Sequence, residues 1–138
     1  MGRIRLAGCA IIEKGKLLLI WKIKEGHYEF PGGRVEKDES KEDTAIRETR
    51  EEIGCEVKIL NYWGYEDFGV RDKELRGHVF LAELGKGQVP RIIETKIFRD
   101  IRWVPIEEYR DYAVAPNVRM FCEDYLKKKG SEEDDLSI

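Results

Sequence analysis

Histidine is nearly missing from this chain: its 138 residues include only His27 and His78. Neither stands in a pattern with serine or cysteine that would support covalent catalysis by a nucleophile–base pair. Cysteine is also scarce. Cys9, Cys55 and Cys122 are odd in number, widely separated and in no Cys-x-x-Cys spacing, which argues against a disulfide framework or a zinc knuckle. Reduced thiols in a cytoplasm are the simplest reading. Long apolar runs are lacking as well, because the stretch from Leu6 to Ile12 meets Glu13-Lys14-Gly15-Lys16 at once, without a small-residue cleavage site. Neither a membrane span nor a signal peptide is indicated. A surplus of one charge is the last absence. Lys and Arg number 25 against 28 Asp and Glu, a formal charge of −3, and segment 130–138 carries Glu132, Glu133, Asp134 and Asp135 without a base. The remaining body is close to neutral and has no broad basic face for stable nucleic-acid binding.

What is present is a balance of 41% hydrophobic and 38% charged residues, the composition of a soluble globular domain. The length suits one domain with its own core, residues 1–129, followed by 130–138 as an acidic, disordered tail. Ile4 to Ile12 and Leu17 to Ile23 are of strand length and separated by a Lys-Gly turn, which reads as a hairpin. Lys24 to Gly33 reads as a loop punctuated by Gly26, Pro31, Gly32 and Gly33. Ser40 as N-cap, Asp43 three residues on and Gly54 as stop bound a helix whose apolar stripe is Ala45, Ile46, Thr49 and Ile53. Strands are expected over Glu56–Trp63, His78–Leu84 and Ile97–Val104. A short helix then covers Ile106–Asp111, and a last helix starting at Pro116 carries the core stripe Val118, Phe121, Cys122, Tyr125 and Leu126. Mixing strands with helices without strict alternation, the chain is of α+β type.

Acidic residues crowd the stretch after Pro31-Gly32-Gly33: Glu36, Asp38, Glu39, Glu42, Asp43, Glu48, Glu51 and Glu52. A solvated helix face is the ordinary explanation for such a run. At about 100° per residue, however, Glu48, Glu51 and Glu52 fall on one side of the helix. Carboxylates converging in this way repel one another unless a cation sits among them, and hard divalent ions such as Mg²⁺ or Mn²⁺ take carboxylate oxygens, waters and backbone carbonyls.

Gly33, Glu39, Arg47, Glu48, Glu51, Glu52 and Gly54 together resemble the Nudix box, G-x5-E-x7-R-E-U-x-E-E-x-G-U with U aliphatic. Seven fixed positions at fixed spacing make the match specific; Thr49 and Cys55 depart from it, at positions that bear on packing more than on chemistry. The resemblance implies an α/β/α sandwich around a mixed sheet. It also implies metal-dependent hydrolysis of a nucleoside diphosphate linked to a further group, with a small nucleotide as partner and a homodimer as a common assembly. Glu48 and Glu52 would ligate the ion, Mg²⁺ or Mn²⁺, with Glu51 sharing or supporting it and the Gly33 carbonyl as a further ligand. Arg47 would orient a box carboxylate or touch phosphate, or else form only a surface pair with Glu51.

The general base in such enzymes comes from the box or from a later loop, where Glu94 is the leading candidate and Glu66, Asp67 and Glu74 are lesser ones. Gly32, Gly33, His27 and Tyr28, in and before the glycine turn, are candidate substrate contacts; Phe30, Trp63, Tyr65 and Phe68 could also stack on a base, with packing the default for each. No proline lies between Cys55 and Pro90, so the proline mark of many ADP-ribose hydrolases is missing, and Pro31-Gly32-Gly33 differs from the Pro-Lys-Gly of many dinucleoside polyphosphate hydrolases. Nucleoside triphosphates, including modified ones, therefore lead as substrates, ahead of ADP-ribose and dinucleoside polyphosphates. A non-catalytic nucleotide-sensing domain is the alternative.

Overall fold

The apolar run Leu17-Leu18-Leu19-Ile20 shows why this chain builds a layered structure: Leu17 and Leu19 join one buried cluster, Leu18 and Ile20 another. A strand sends successive side chains to opposite faces, so a continuous apolar run marks a sheet covered on both sides. The computed structural model describes residues 2–136, with side chains as far as Glu132. Seven strands and two α-helices follow one another: β1 (Ile4–Glu13), β2 (Lys16–Lys22), β3 (His27–Glu29), β4 (Gly32–Arg34), α1 (Lys41–Ile53), β5 (Val57–Val70), β6 (Lys73–Leu84), β7 (Phe98–Pro105) and α2 (Pro116–Leu136). A 3₁₀ turn over Ile106–Asp111 precedes α2. Ala45 and Ile53 of α1 pack with Ala7, Cys9 and Ile11 on one face of the sheet, and Val118, Phe121 and Cys122 of α2 pack with Ala10, Leu17 and Leu19 on the other. This is the expected mixed sheet between helices.

The sheet is forked. β1 runs parallel to β6 from Ile4↔Leu75 to Ile11↔Ala82, but meets β2 only at Ile12↔Leu17 and Glu13↔Lys16. Beyond that junction the two strands diverge. β4 pairs with the freed edge of β1, and β3 with that of β2, so the segment Tyr28 to Gly33 bridges the opening. β7 lines the other edge of β2, and β5 pairs with β6 over its whole length.

Several elements differ from the sequence expectation. The supposed loop Lys24–Gly33 contains β3 and β4, three residues each, because strands this short are created by pairing across the fork and leave no pattern of their own. The β5–β6 hairpin extends well past Trp63 and begins before His78; Gly64, Gly69 and Gly77 conceal it, and its turn sits at Arg71, a non-glycine residue with φ 60°. Helix α2 continues beyond Lys129 to Leu136, so most of the segment set apart as a disordered tail is helical; Ser137 and Ile138 lie outside the described residues. Ser131 and Glu132 are acceptable helix residues, and the cost of Gly130, about 1 kcal/mol, does not end the helix.

Candidate active site

Helix α1 is bounded as the sequence predicts. Ser40 caps its start, with Oγ accepting from the Asp43 N–H at 3.0 Å, and Gly54 ends it at φ 68°, a conformation in which a side chain would be strained. These caps fix which way the box residues point. Thr44, Ala45, Thr49 and Ile53 are buried against the sheet. The two departures from the box pattern, Thr49 and Cys55, are both fully buried, and the Thr49 hydroxyl has no hydrogen-bond partner. They belong to the packing of the helix and its exit.

At the C-terminal half of α1, Glu52 turns into the fork. Only 4% exposed, its Oε1 accepts the Gly32 N–H at 2.9 Å. Burial pushes its carboxyl well above the ordinary range, and neighbouring Glu48 and Glu29 add to the effect. The Glu48 carboxyl lies directly on Gly33, so close that a Cβ placed there would come within 2.6 Å of Oε2. A side chain at this position would push the Glu48 carboxyl out of its place. Glu51 is about half exposed and joins Glu48 through Arg47, whose Nη1 donates to Glu48 Oε1 at 2.9 Å and to Glu51 Oε2 at 3.1 Å.

Arg47 also clamps Glu39 with two parallel bonds, Nε to Oε2 at 2.8 Å and Nη2 to Oε1 at 3.0 Å. Thr44 Oγ1 donates to the same carboxylate at 2.6 Å. The guanidinium, followed by the threonine hydroxyl, holds the Glu39 carboxyl down at about 2. Arg47 thus bonds Glu51 and also Glu39 and Glu48, so it is more than a surface pair with Glu51.

Glu94 arrives from the loop before β7. The last carbonyls of α1 lack partners within the helix, and the loop supplies them: the Ile93 N–H donates to Glu52 O at 2.9 Å and the Arg91 N–H to Ile53 O at 3.1 Å. This tie brings Glu94 beside the box. Partial burial raises its carboxyl above the ordinary range, and the charges of Glu48 and Glu51 raise it further. The lesser candidates lie elsewhere: Asp67 pairs with Arg76 at 2.7 Å, Glu74 with Arg3 at 3.2 Å, and Glu66 feels Asp124 and Asp67 rather than the box.

A cavity of about 400 Å³ opens in the fork and reaches the box at Gly32 and Gly33. Leu6, Phe30, Phe68 and Leu75 provide apolar walls, while Lys22, Lys24, Arg34, Arg71 and Lys73 bring positive charge. Its size and lining suit a nucleoside with an attached anionic chain. His27 and Glu29 face it, with His27 Nε2 3.1 Å from Glu29 Oε2. Tyr28, expected as a substrate contact, is not among the lining residues. It alternates to the other side of β3, is buried, donates its hydroxyl to Asp100 Oδ2 at 2.6 Å, and packs edge-on against Trp21 and Tyr112. Of the later aromatics, Phe68 reaches the cavity, whereas Trp63 packs on Phe121 and Tyr125 of α2. Glu25 and Asn117 also line the cavity; sequence reasoning passed over both, since neither belongs to a motif.

A divalent cation fits the chemistry of the acids here. Glu52 is a buried carboxyl in contact with a second carboxyl and with no cation of the protein bonded to it, the situation a hard ion relieves. Among the described residues no three such side chains form a closed metal cage.

Residues 2–124 match the NUDIX domain family. This chain belongs to the Nudix family. Among its relatives is the CTP pyrophosphohydrolase of Escherichia coli, 32% identical over 115 residues, covering 78% of this chain and 80% of that protein. The 8-oxo-dGTP diphosphatase of Buchnera aphidicola is 34% identical over 67 residues, covering 49% of this chain and 54% of that protein. In several such matches the chain spans only about half the length of the curated relative. The crystal structure of a MutT NUDIX hydrolase from Burkholderia pseudomallei has the same fold, with TM-score 0.81 at 22% identity over 89% of this chain and 98% of that one. Nudix proteins generally use divalent metal ions. Among the described residues no helix is long and apolar enough to cross a membrane.

Proposed function

We propose that this Nudix domain is a pyrophosphohydrolase that cleaves nucleoside triphosphates, modified ones included, with Mg²⁺ or Mn²⁺ as cofactor. The observation that carries this reading is the Glu52–Gly32 hydrogen bond, which joins the box acids to a nucleoside-sized cavity with a positively charged lining. The E. coli and Buchnera relatives are named for CTP and 8-oxo-dGTP, both nucleoside triphosphates. When bound, the ion would add to the basic side chains of the cavity by neutralising charge on the phosphates and by favouring ionisation of water.

Glu48 and Glu52, with Glu51 and the Gly33 carbonyl in support, would hold the ion beside the glycine turn. Lys22, Lys24 and Arg34 draw the polyphosphate towards the box, and the apolar walls receive the base. Water adds to one phosphorus of the bridge, the bond from that phosphorus to the bridging oxygen breaks, and the departing phosphate carries away the electron pair. Glu94 takes the water's proton; its raised pKa makes it a better base than an ordinary glutamate at neutral pH. Arg47 is a positioning residue, fixing Glu48 and Glu51 rather than touching substrate. The three buried, free thiols fit a reducing cytoplasm.

The test is incubation with nucleoside triphosphates, ADP-ribose, dinucleoside polyphosphates and nucleotide sugars in the presence of Mg²⁺ or Mn²⁺, with products separated by chromatography. Nucleoside monophosphate and pyrophosphate from triphosphates is the expected result. Preferential cleavage of another class corrects the substrate. Tight binding throughout, with no product from any substrate, overturns the enzymatic reading in favour of a nucleotide sensor.

A further inference from the structure

The fork is spanned in two places, and only one of the spans can open. Near the box the segment Tyr28 to Gly33 crosses it as continuous chain, pairing through β3 with one arm and through β4 with the other. At its far end the crossing is a single hydrogen bond: Arg71 Nη2, from the tip of the β5–β6 hairpin, donates to Lys24 O, in the turn after β2, at 3.0 Å. Both partners are set by their own surroundings. Arg71 sits at φ 60° beside the pairing of Val70 with Lys73, and the Gly26 N–H donates to Lys22 O at 2.9 Å across the turn that carries Lys24. Lys24 and Arg71 line the cavity from opposite walls, so their bond closes it where the walls meet. The length this leaves follows from the register. Gly33 and His78 both lie beside Ala7, and Lys73 is five residues from His78 along β6, so the bridge stands about 17 Å from the glycine turn at about 3.3 Å per residue.

We infer that the Arg71–Lys24 bridge limits the length of the base that the cavity accepts, which makes Arg71 a specificity-determining residue. This rests on the reading of the cavity as a nucleotide site. With phosphates at Gly32–Gly33, sugar and base point away from the box along the apolar walls of Leu6, Phe68 and Leu75, and the far edge of the base meets the bridge. An unmodified base, or one altered only on its ring, stays within that span. A base with a bulky group on its exocyclic nitrogen has to displace the Arg71 side chain and break its bond. The acceptor is a main-chain carbonyl, so the Lys24 side chain plays no part in the closure and Arg71 alone carries it. The selection works by exclusion of the longer ligand rather than by a contact with the shorter one. Its size is that of one exposed hydrogen bond, roughly three- to tenfold, so the bridge discriminates against extended bases without forbidding them.

Calorimetry with nucleoside monophosphates tests this without requiring turnover, using AMP against N6-benzyl-AMP and CMP against N4-benzyl-CMP. Arg71→Asn suits the left-handed backbone at the hairpin tip, and its side chain is too short to reach Lys24 O. In that variant the benzyl ligands should bind about three- to tenfold more tightly than they bind wild type, while AMP and CMP stay within about twofold. Arg71→Lys keeps a long donor and should hold the wild-type ratios. Lys24→Ala leaves the acceptor carbonyl in place and should hold them too, even as the loss of its charge weakens every ligand. No gain for the benzyl ligands in a folded Arg71→Asn protein overturns the inference. A ratio that narrows only because AMP and CMP bind less tightly does the same, since it assigns Arg71 to holding the nucleotide, and so does an equal gain in Lys24→Ala. If neither AMP nor CMP binds the wild type, the nucleotide reading of the cavity falls and takes the inference with it. Relief of benzyl exclusion by Arg71→Asn in a protein that hydrolyses no triphosphate would leave this inference standing while the pyrophosphohydrolase reading fails.

Discussion

The two ends of the box helix place glutamates of one motif in opposite electrostatic conditions. At the start, Glu39 is clamped by Arg47 and Thr44 and titrates at about 2. At the other end, Glu52 is buried without a cation, held by one backbone N–H, and its carboxyl is pushed well above the ordinary range. Glu39 is a carboxylate whose needs the protein meets in full. Glu52 is one whose needs are met only when something else arrives. On the proposed mechanism this separates a residue that holds the loop in shape, Glu39, from one held ready for chemistry, Glu52, a distinction the motif letters do not make.

The same substitution at both ends gives the largest contrast. Glu52→Gln keeps an acceptor for the Gly32 N–H and removes a buried charge, so turnover should fall about 10²- to 10⁴-fold while thermal stability holds or rises. Glu39→Gln should do the reverse, lowering stability with a much smaller change in turnover. Equal loss of activity at both positions, measured as kcat beside the thermal midpoint, would erase the distinction.

Glu94→Gln should reduce kcat by roughly 10- to 100-fold if this loop glutamate is the base. Because burial and the nearby glutamates raise its folded pKa, the ionised form that accepts a proton builds up at higher pH than for an ordinary glutamate. Wild-type activity should therefore climb with pH along an acid limb displaced upward, and the variant should lose that limb. An unchanged pH–rate profile would return the base to the box.

Arg47→Met tests the clamp. Loss of its charge-assisted bonds to three carboxylates should cost about 1–3 kcal/mol at neutral pH by urea unfolding. The pH dependence has a definite sign. Glu39 has a folded pKa lowered from 4.5 to about 2, so its contribution is present above the unfolded value and disappears as pH falls through about 2. The gap between wild type and variant should narrow across that window, and a gap independent of pH would show that packing rather than charge accounts for the clamp. The smallest effect belongs to Tyr28→Phe, which removes the hydroxyl bonded to Asp100 and should cost about 1 kcal/mol with KM unchanged. A raised KM would restore Tyr28 as a substrate contact.

What could be read from the sequence follows from how local each feature is. Helix α1 was legible because Ser40, Asp43 and Gly54 act within a turn of its ends, and its register then oriented Arg47, Glu48, Glu51 and Glu52. The hairpin extension through Gly64, Gly69 and Gly77 was not, since those strands exist through pairing with each other and with β1. The orientation of Tyr28 depends on a three-residue strand made by the fork. The Arg71 bridge gave no signal at all, because a bond between residues 47 positions apart is visible only once the walls it joins are in place.

The fork in the sheet also bears on how the protein comes apart. Active-site loops usually open more readily than the core, but here the glycine turn is secured at both ends to the central strand, with the Cys9 amide on Pro31 O at 2.9 Å and the Val35 amide on Arg5 O at 2.9 Å. Pairing of Ala7 with Gly33 lies between those two anchors. Loosening the turn breaks its bonds to β1, the strand that on its other edge carries the parallel contact with β6. Amide protons on both sides of the turn, at Cys9 and Val35, should accordingly exchange with solvent as slowly as those of the buried strands. If they do, the turn opens only with the strands it is tied to, and heat or denaturant will remove the site and the fold together.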